Sequence, residues 1–240
     1  MLIYGINPVL EALKAGRVRE VRVDGARSDR LREIRAVAEA NRVPVRVVSA
    51  QDLDRSARGG VHQGVTADLA DAPDYSVQDL VTSAQGPPLI VVLDGIEDPH
   101  NLGAILRTVD ASGGHGVIRQ TRHAARLDGA AAKASAGAVS HVRIANVVNI
   151  ARAIGELKDA GVWTIGLAGD APEPYDAVDF TQPSAIVVGA EGEGLRRLVR
   201  ETCDRLVSIP MRGRVSSLNV SVAAGIVLFE AVRQRRDAGT

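Results

Sequence analysis

From Leu89 onward, short apolar runs alternate with longer stretches whose apolar positions recur every three or four residues. Leu89–Leu93 is uninterrupted, as a strand covered on both faces requires. Leu102, Ile105, Leu106 and Val109 follow at helical spacing, and Gly113-Gly114 stops that helix. The pattern then predicts a strand near Val117-Ile118, an alanine-rich helix from about Gly129 to Ala136 and a strand at Val142–Ile144. A helix over Val148–Ala160, a strand at Val162–Leu167, a strand at Ala185–Val188 and a helix over Leu195–Thr202 come next. A strand at Leu206–Ile209 and a helix from Asn219 to about Arg235 complete the series. Such alternation predicts a mostly parallel α/β sheet with helices on both faces. The last helix is apolar nearly all round, which predicts that it is buried.

The first 70 residues carry a smaller α/β pattern. Asn7-Pro8 reads as an N-cap and first helical position, opening a helix through Leu10 and Leu13 to Gly16. Val18–Val23 alternates as a half-buried strand does, Leu31–Ala40 has helical spacing, and Val43–Val48 is a second strand. Arg58-Gly59-Gly60-Val61-His62-Gln63-Gly64 is a glycine-rich loop ahead of a short strand at Val65–Leu69. Residues 71–88 have a linker's composition, ending in Gly86-Pro87-Pro88, with room for a helical turn at Val77–Val81. The expected organisation is therefore residues 1–70 as one domain, 71–88 as linker and 89–240 as a second domain.

Composition narrows the class. With 45% hydrophobic and 24% charged residues in 240, the chain is an ordinary globular protein with a real core. No apolar run approaches the ~18 residues of a membrane span, and Met1–Leu10 lacks a basic-then-apolar leader. Cys203 is the only cysteine, which excludes an internal disulfide. A cytoplasmic location without membrane contact is expected. The 29 basic and 29 acidic residues cancel, so no global field advertises a polyanion. Residues 1–70 nevertheless hold 12 Lys+Arg against 9 Asp+Glu, an excess of 3. The five histidines, at 62, 100, 115, 123 and 141, show no metal-ligand spacing, so no metal is expected.

Three segments carry the chemistry, each placing glycine, proline or small polar residues at the end of a strand, where open α/β sheets bind ligands. In the first, Asp98-Pro99-His100-Asn101-Leu102-Gly103 makes a turn in which Asn101 can cap the helix. Gly103 permits close approach of backbone or ligand, and Arg107 lies off the apolar stripe. In the second, Gly189-Ala190-Glu191-Gly192-Glu193-Gly194 follows a strand and opens a helix, as phosphate loops do. It lacks the Gly-x-x-x-x-Gly-Lys pattern and carries two carboxylates where a phosphate would lie, which argues against a phosphate cradle. Glu191 and Glu193 either complement the helix N-terminus or belong to a site; the flanking glycines favour the site. In the third, Ser216, Ser217 and Asn219 stand just ahead of the last helix, more polar groups than a cap needs.

In this order, the segments resemble the three signature motifs of the SpoU (TrmH-like) family of SPOUT methyltransferases. That family transfers methyl from S-adenosylmethionine to a ribose 2′-hydroxyl of RNA. The resemblance runs from about Leu89 to Arg235 through Asp-Pro-His-Asn-Leu-Gly, Gly-Ala-Glu-Gly-Glu-Gly and Ser-Ser-Leu-Asn-Val-Ser. The first 70 residues, with Ile3-Tyr4-Gly5 and Val61-His62-Gln63-Gly64, are similar to the L30e-like substrate-binding domain of large-subunit (23S) rRNA guanosine 2′-O-methyltransferases. The resemblance implies a deep trefoil knot at the carboxyl end and a homodimer. It implies donor binding around Gly189, Ile209, Leu218 and Asn219, and catalytic roles for Asn101, Arg107, Glu191, Ser217 and Asn219. It also implies 23S rRNA as the partner; His62 in the glycine-rich loop, Arg58, Arg122 and Arg126 are candidate RNA contacts by residue type. With three Tyr, two Phe and one Trp, stacking on aromatics is not expected to dominate RNA recognition.

A guanidinium stays protonated far above neutral pH. Arg107 is therefore expected to steady the developing alkoxide and the neighbouring phosphate rather than act as a base, with Asn101 orienting it. Glu191, Ser217 and Asn219 would hold ribose and donor loops. Transfer RNA or another rRNA loop is the alternative substrate. A non-enzymatic RNA-binding protein is disfavoured by the complete set of polar motif residues, and a nucleotide-dependent oxidoreductase by the missing glycine fingerprint.

Overall fold

The computed structural model describes residues 1–25, 28–70 and 73–239. Ala26 and Arg27, Asp71 and Ala72 at the start of the expected linker, and Thr240 lie outside the described residues. The chain divides into two compact units. The first comprises Met1–Pro73, Pro99–Arg107 and Ala125–His141; the second comprises Asp74–Asp98, Thr108–Ala124 and Val142–Thr240.

In the first unit, β1 (Leu2–Tyr4), α1 (Ile6–Lys14), β2 (Val18–Val23), α2 (Asp29–Ala40), β3 (Val45–Val47), α3 (Ala50–Ala57) and β4 (Val65–Leu69) follow in order. The sheet runs β1-β4-β2-β3, antiparallel except for β2 with β3. β1 and α3 are absent from the sequence-based expectation. A three-residue strand and an eight-residue helix are too short to show a period. The start of α1 also differs. Gly5, not Asn7, occupies the cap position, and the Ile6 N–H is satisfied by the Gln63 side chain at 3.1 Å. A cap supplied from 57 residues away leaves no local signature.

The second unit opens with α4 (Val77–Thr82), whose N-terminus is fixed by a reciprocal capping box between Ser76 and Asp79. Its Val77 and Leu80 are buried in the core with Ile90, Val92 and Ile154, so this half of the 71–88 segment is packed. β5 (Leu89–Asp94) leads into α5 (Pro99–Ala111), whose Pro99–Arg107 part belongs to the first unit. β6 (Gly116–Gln120), α6 (Gly129–Ala134, in the first unit), a 3₁₀ turn at Ala138–Ser140, β7 (Ile144–Val147) and α7 (Ile150–Asp159) follow. Then come β8 (Trp163–Leu167), the two-residue β9 (Glu173–Pro174), β10 (Ser184–Gly189), α8 (Arg197–Thr202), β11 (Arg205–Ser208) and α9 (Val220–Ala238).

The seven strands run β7-β6-β5-β10-β8-β11-β9, and the pairs are parallel. Every residue of β5 and β10 is buried, which is why both read as unbroken apolar runs. The chain places β10 between β5 and β8, so the order reverses there and the strands' carboxyl ends open a crevice.

The expectation that α9 is buried all round is overturned. Val222 and Phe229, seven residues apart, are 50% and 49% exposed on a helix whose Val220, Ala224, Val227 and Leu228 are buried. Apolar positions beyond the core-facing stripe form a second, outward face. Near the helix end, Arg235 donates to the carbonyls of Pro87, Pro88, Phe180 and Gln182, which precede β5 and β10. Its guanidinium thereby ties the last helix to the beginnings of the two central strands.

Candidate active site

Asp94 ends β5 and Gly189 ends β10, directly opposite each other in the register. Both motif segments therefore leave the sheet at one point. Beyond Gly189 the chain folds back at once, and Gly194 N–H donates to the Ala190 carbonyl at 2.9 Å. There is no room for a side chain at 189. A Cβ there would lie 2.1 Å from the Gly194 carbonyl carbon, 2.2 Å from its oxygen and 2.4 Å from the Leu195 nitrogen.

The far end of this loop is tethered by a group that the sequence reading did not single out. Asp94, fully buried, accepts from the Arg196 backbone N–H at 2.8 Å and from its Nε at 2.7 Å, and pairs with Nη2. Arg196 Nη2 also donates to Gln120 Oε1 at 2.7 Å. Arg196 thereby occupies the cap position, and α8 starts at Arg197 rather than Leu195. The available signal was an aspartate closing an apolar strand, because a buried charge must be paired. Arg196→Ala strands that carboxylate with one backbone donor. The expected loss is about 2–3 kcal/mol, read as a lowered midpoint in urea unfolding.

The third segment meets the second through Asn219. Its Nδ2 donates to Glu191 Oε1 at 2.6 Å, while its Oδ1 accepts from Ser221 N–H at 2.9 Å and Ser221 Oγ at 2.6 Å. One amide caps α9 and pins Glu191. A cavity of about 720 Å³ opens here, bounded by Leu167–Asp170, Gly189–Leu195, Ser208-Ile209 and Ser216–Asn219. Gly189, Glu191, Ile209, Ser217, Leu218 and Asn219 all line it. Its size is that of a small-molecule site. The charged residues on the wall are Asp170, Glu191, Glu193 and Arg200, three carboxylates against one guanidinium. Arg200 is itself engaged by Asp170 through paired bonds of 2.8 and 2.9 Å, which hold the Asp170 carboxyl below its ordinary range. Such a wall suits a cationic ligand and opposes a phosphate. Leu167–Asp170 and Arg200 went unnoticed in the sequence. Ala168-Gly169-Asp170 after a strand was the signal available, the same handover to small and polar residues.

Asn101 and Arg107 lie on the part of α5 that belongs to the first unit. Because α5 begins at Pro99, Asn101 sits inside the first turn and is 6% exposed, so it is not the N-cap expected from the sequence. Arg107 is exposed. Gly103 serves the close approach of backbone: a Cβ there would lie 2.4 Å from Ala134 Cβ and 2.7 Å from the Ala131 carbonyl oxygen of α6.

The candidate RNA contacts are dispersed. Arg58 ends α3 in the left-handed conformation (φ 49°), and its side chain is exposed. His62 braces the glycine-rich loop, with Nδ1 accepting from Gly64 N–H at 3.0 Å and Nε2 3.0 Å from Asp54 Oδ1. Arg122 is exposed after β6 in the second unit, and Arg126 is exposed ahead of α6 in the first. Burial, aided by Asp204, pushes the Cys203 thiol up to about 12. It therefore stays protonated at neutral pH, and iodoacetamide is expected to label it only after unfolding, as read by intact mass.

Among the described residues, no three His, Cys, Asp or Glu side chains gather as a metal would need, and no helix is long and apolar enough to cross a membrane.

A parallel α/β sheet with a backbone-walled, acid-lined cavity at its switch point has the form of a small-molecule-binding domain. Residues 88–229 match the SpoU rRNA Methylase family, and residues 2–75 match the RNA 2'-O ribose methyltransferase substrate binding family. The chain is 46% identical to the 23S rRNA (guanosine-2'-O-)-methyltransferase RlmB of Yersinia pestis, over 98% of this chain and 97% of that protein. It is 44% identical to the protein of the same name in Escherichia coli K12, over 98% of each. Its fold superposes with a TM-score of 0.82 on the SpoU methyltransferase AviRb from Streptomyces viridochromogenes in complex with the cofactor AdoMet. That match has 29% identity and covers 99% of this chain and 91% of that one. The chain belongs to the SpoU rRNA methylase family.

Proposed function

We propose that this chain methylates the 2′-hydroxyl of a guanosine ribose in 23S rRNA, with S-adenosylmethionine as donor. The observation that carries this reading is the convergence of Gly189, Glu191, Ile209, Ser217, Leu218 and Asn219 on one acid-lined cavity. The relatives named above support the substrate, since both carry the name of a 23S rRNA guanosine 2'-O-methyltransferase across nearly their whole length.

The cavity fits the donor: backbone at Gly189 and Ile209 can grip a planar base, and the carboxylates suit a sulfonium. When bound, the donor supplies a methyl carbon open to in-line attack. The chain's own part is alignment, which can supply roughly 7–11 kcal/mol when two reactants are held in attack geometry. Asn219 fixes Glu191 at the cavity mouth, leaving the outer carboxylate oxygen to hold a ribose hydroxyl. Ser217 bounds the same wall. Arg107, cationic and exposed, steadies the alkoxide as it forms and contacts the adjacent phosphate, with Asn101 orienting it. The hydroxyl proton passes to solvent.

The same reading assigns residues 1–70 to RNA binding, 71–88 to the connection and 89–240 to catalysis, with Arg58, His62, Arg122 and Arg126 near RNA. It makes the protein a cytoplasmic homodimer, supported by the outward apolar face of Val222 and Phe229 on α9. It also makes the carboxyl end a deep trefoil knot, supported by the insertion of β10 between β5 and β8. Mass-spectrometric mapping of ribose methylation in large-subunit rRNA, with and without the protein, tests the substrate. One guanosine is expected to lose its methyl group in the protein's absence. An unchanged 23S map with a missing methyl in transfer RNA would overturn the assignment.

A further inference from the structure

Tyr4, on β1, is held between two glycines. A Cβ at Gly60, in the glycine-rich loop, would lie 2.3 Å from the Tyr4 ring carbon Cζ and 2.5 Å from its hydroxyl. A Cβ at Gly129, the first residue of α6, would lie 2.1 Å from Cε1 and 2.5 Å from Cδ1. The ring therefore rests on bare backbone at both places. Burial, aided by the Asp128 carboxylate, raises the hydroxyl's pKa.

The segment that receives Tyr4 is held to the amino-terminal residues elsewhere too. At Gly137 a Cβ would lie 2.6 Å from Glu11 Cβ and 3.5 Å from Pro8 Cα of α1. His141 Nε2 lies 3.4 Å from Glu11 Oε2, and Lys133 Nζ donates to the Val61 carbonyl at 3.4 Å. On α6 between these points, Ala131, Ala134 and the following Ser135 receive Gly103 of α5, whose lack of a side chain lets the two helices approach closely. Gly103 stands two residues after Asn101 and one helical turn before Arg107. A run of close contacts thus leads from Tyr4 on β1 and the glycine-rich loop, through α6, to the stretch of α5 bearing both polar groups. Close-packed contacts of this kind transmit displacements because they cannot yield without clash.

We propose that Tyr4 is a positioning residue for the Asn101–Arg107 stretch of α5, acting through α6, so that the amino-terminal sheet and this stretch move as one piece. The inference rests on the reading of Arg107 as a reacting group. It predicts that disturbing Tyr4 slows chemistry without weakening the binding of either substrate. Tyr4→Ala withdraws the ring; Gly129→Ala adds one methyl group on the other side of the contact and removes nothing.

The experiment compares these two variants, Tyr4→Phe and Arg107→Lys with the parent protein, on unmodified 23S rRNA with S-adenosylmethionine. Turnover, KM for rRNA and donor affinity by calorimetry are measured for each, with thermal unfolding to confirm the fold. Tyr4→Ala and Gly129→Ala are expected to lower kcat about 10- to 100-fold, with KM and donor affinity within about threefold of the parent's. Tyr4→Phe, which keeps the ring, restores turnover. Parental kcat in Gly129→Ala, or a raised KM at unchanged kcat in Tyr4→Ala, overturns the proposal, the latter by making Tyr4 an RNA contact. Should Tyr4→Ala fail to fold, Gly129→Ala decides alone. If Arg107→Lys is slow while the Tyr4 and Gly129 variants are not, only this inference fails. If Arg107→Lys turns over normally, the assignment beneath it fails.

Discussion

An Arg107→Lys protein binds S-adenosylmethionine as the parent does, yet transfers methyl to rRNA about 100-fold more slowly. The charge is kept; the planar fork is lost. A guanidinium can hold an incipient alkoxide on one N–H while a second N–H holds the phosphate next to it, whereas an ammonium presents a compact point charge on a flexible stem. Donor binding is spared because the cavity wall is built from Leu167–Asp170, Gly189–Leu195, Ser208-Ile209 and Ser216–Asn219, to which α5 contributes nothing. Single-turnover methylation of unmodified 23S rRNA, set beside calorimetric titration with S-adenosylmethionine, separates the two effects. Near-parental turnover would show that a positive charge alone suffices at 107. Loss of donor binding would show that Arg107 belongs to the donor site instead.

Much of the fold was legible because a parallel sheet buried on both faces writes itself as apolar runs. β5 and β10, buried at every position, were found to within a residue or so. What escaped was short, or determined from a distance. β1 and β9 have three and two residues, and the cap of α1 comes from Gln63. β7 starts at Ile144, where the sequence had it end, because its ladder with β6 begins there, at Val117 opposite Ile144. The site was legible where several unusual residues stood close together, as around Glu191 and Asn219. Asp94 and Asp170 each stood at or just after the end of a strand, but the arginines they hold, Arg196 and Arg200, lie 102 and 30 residues further on, so only the acidic half of each pair left a signal. The outward face of α9 shows the opposite error: apolarity reports a need for cover, not whether the same chain supplies it.

Gly189 carries the steepest expected loss of donor affinity. Gly189→Ala would press a methyl group against the Gly194 carbonyl and the Leu195 nitrogen, each closer than 2.5 Å. Neither atom is the end of a flexible side chain, so the backbone itself must move. On one side the loop continues β10, which is paired with β5 up to this very residue. On the other it is tied to buried Asp94 through Arg196. With both ends fixed, displacement concentrates at Ala190–Gly194, where Glu191 meets Asn219. S-adenosylmethionine binding is therefore expected to weaken at least about 100-fold, which is some 2.7 kcal/mol, while the sheet, whose buried strands are untouched, keeps its unfolding temperature within several degrees. Calorimetric titration and thermal unfolding of the same preparation decide the matter. Undiminished affinity in a folded Gly189→Ala protein would place the donor away from this loop, and with it the reading of the cavity.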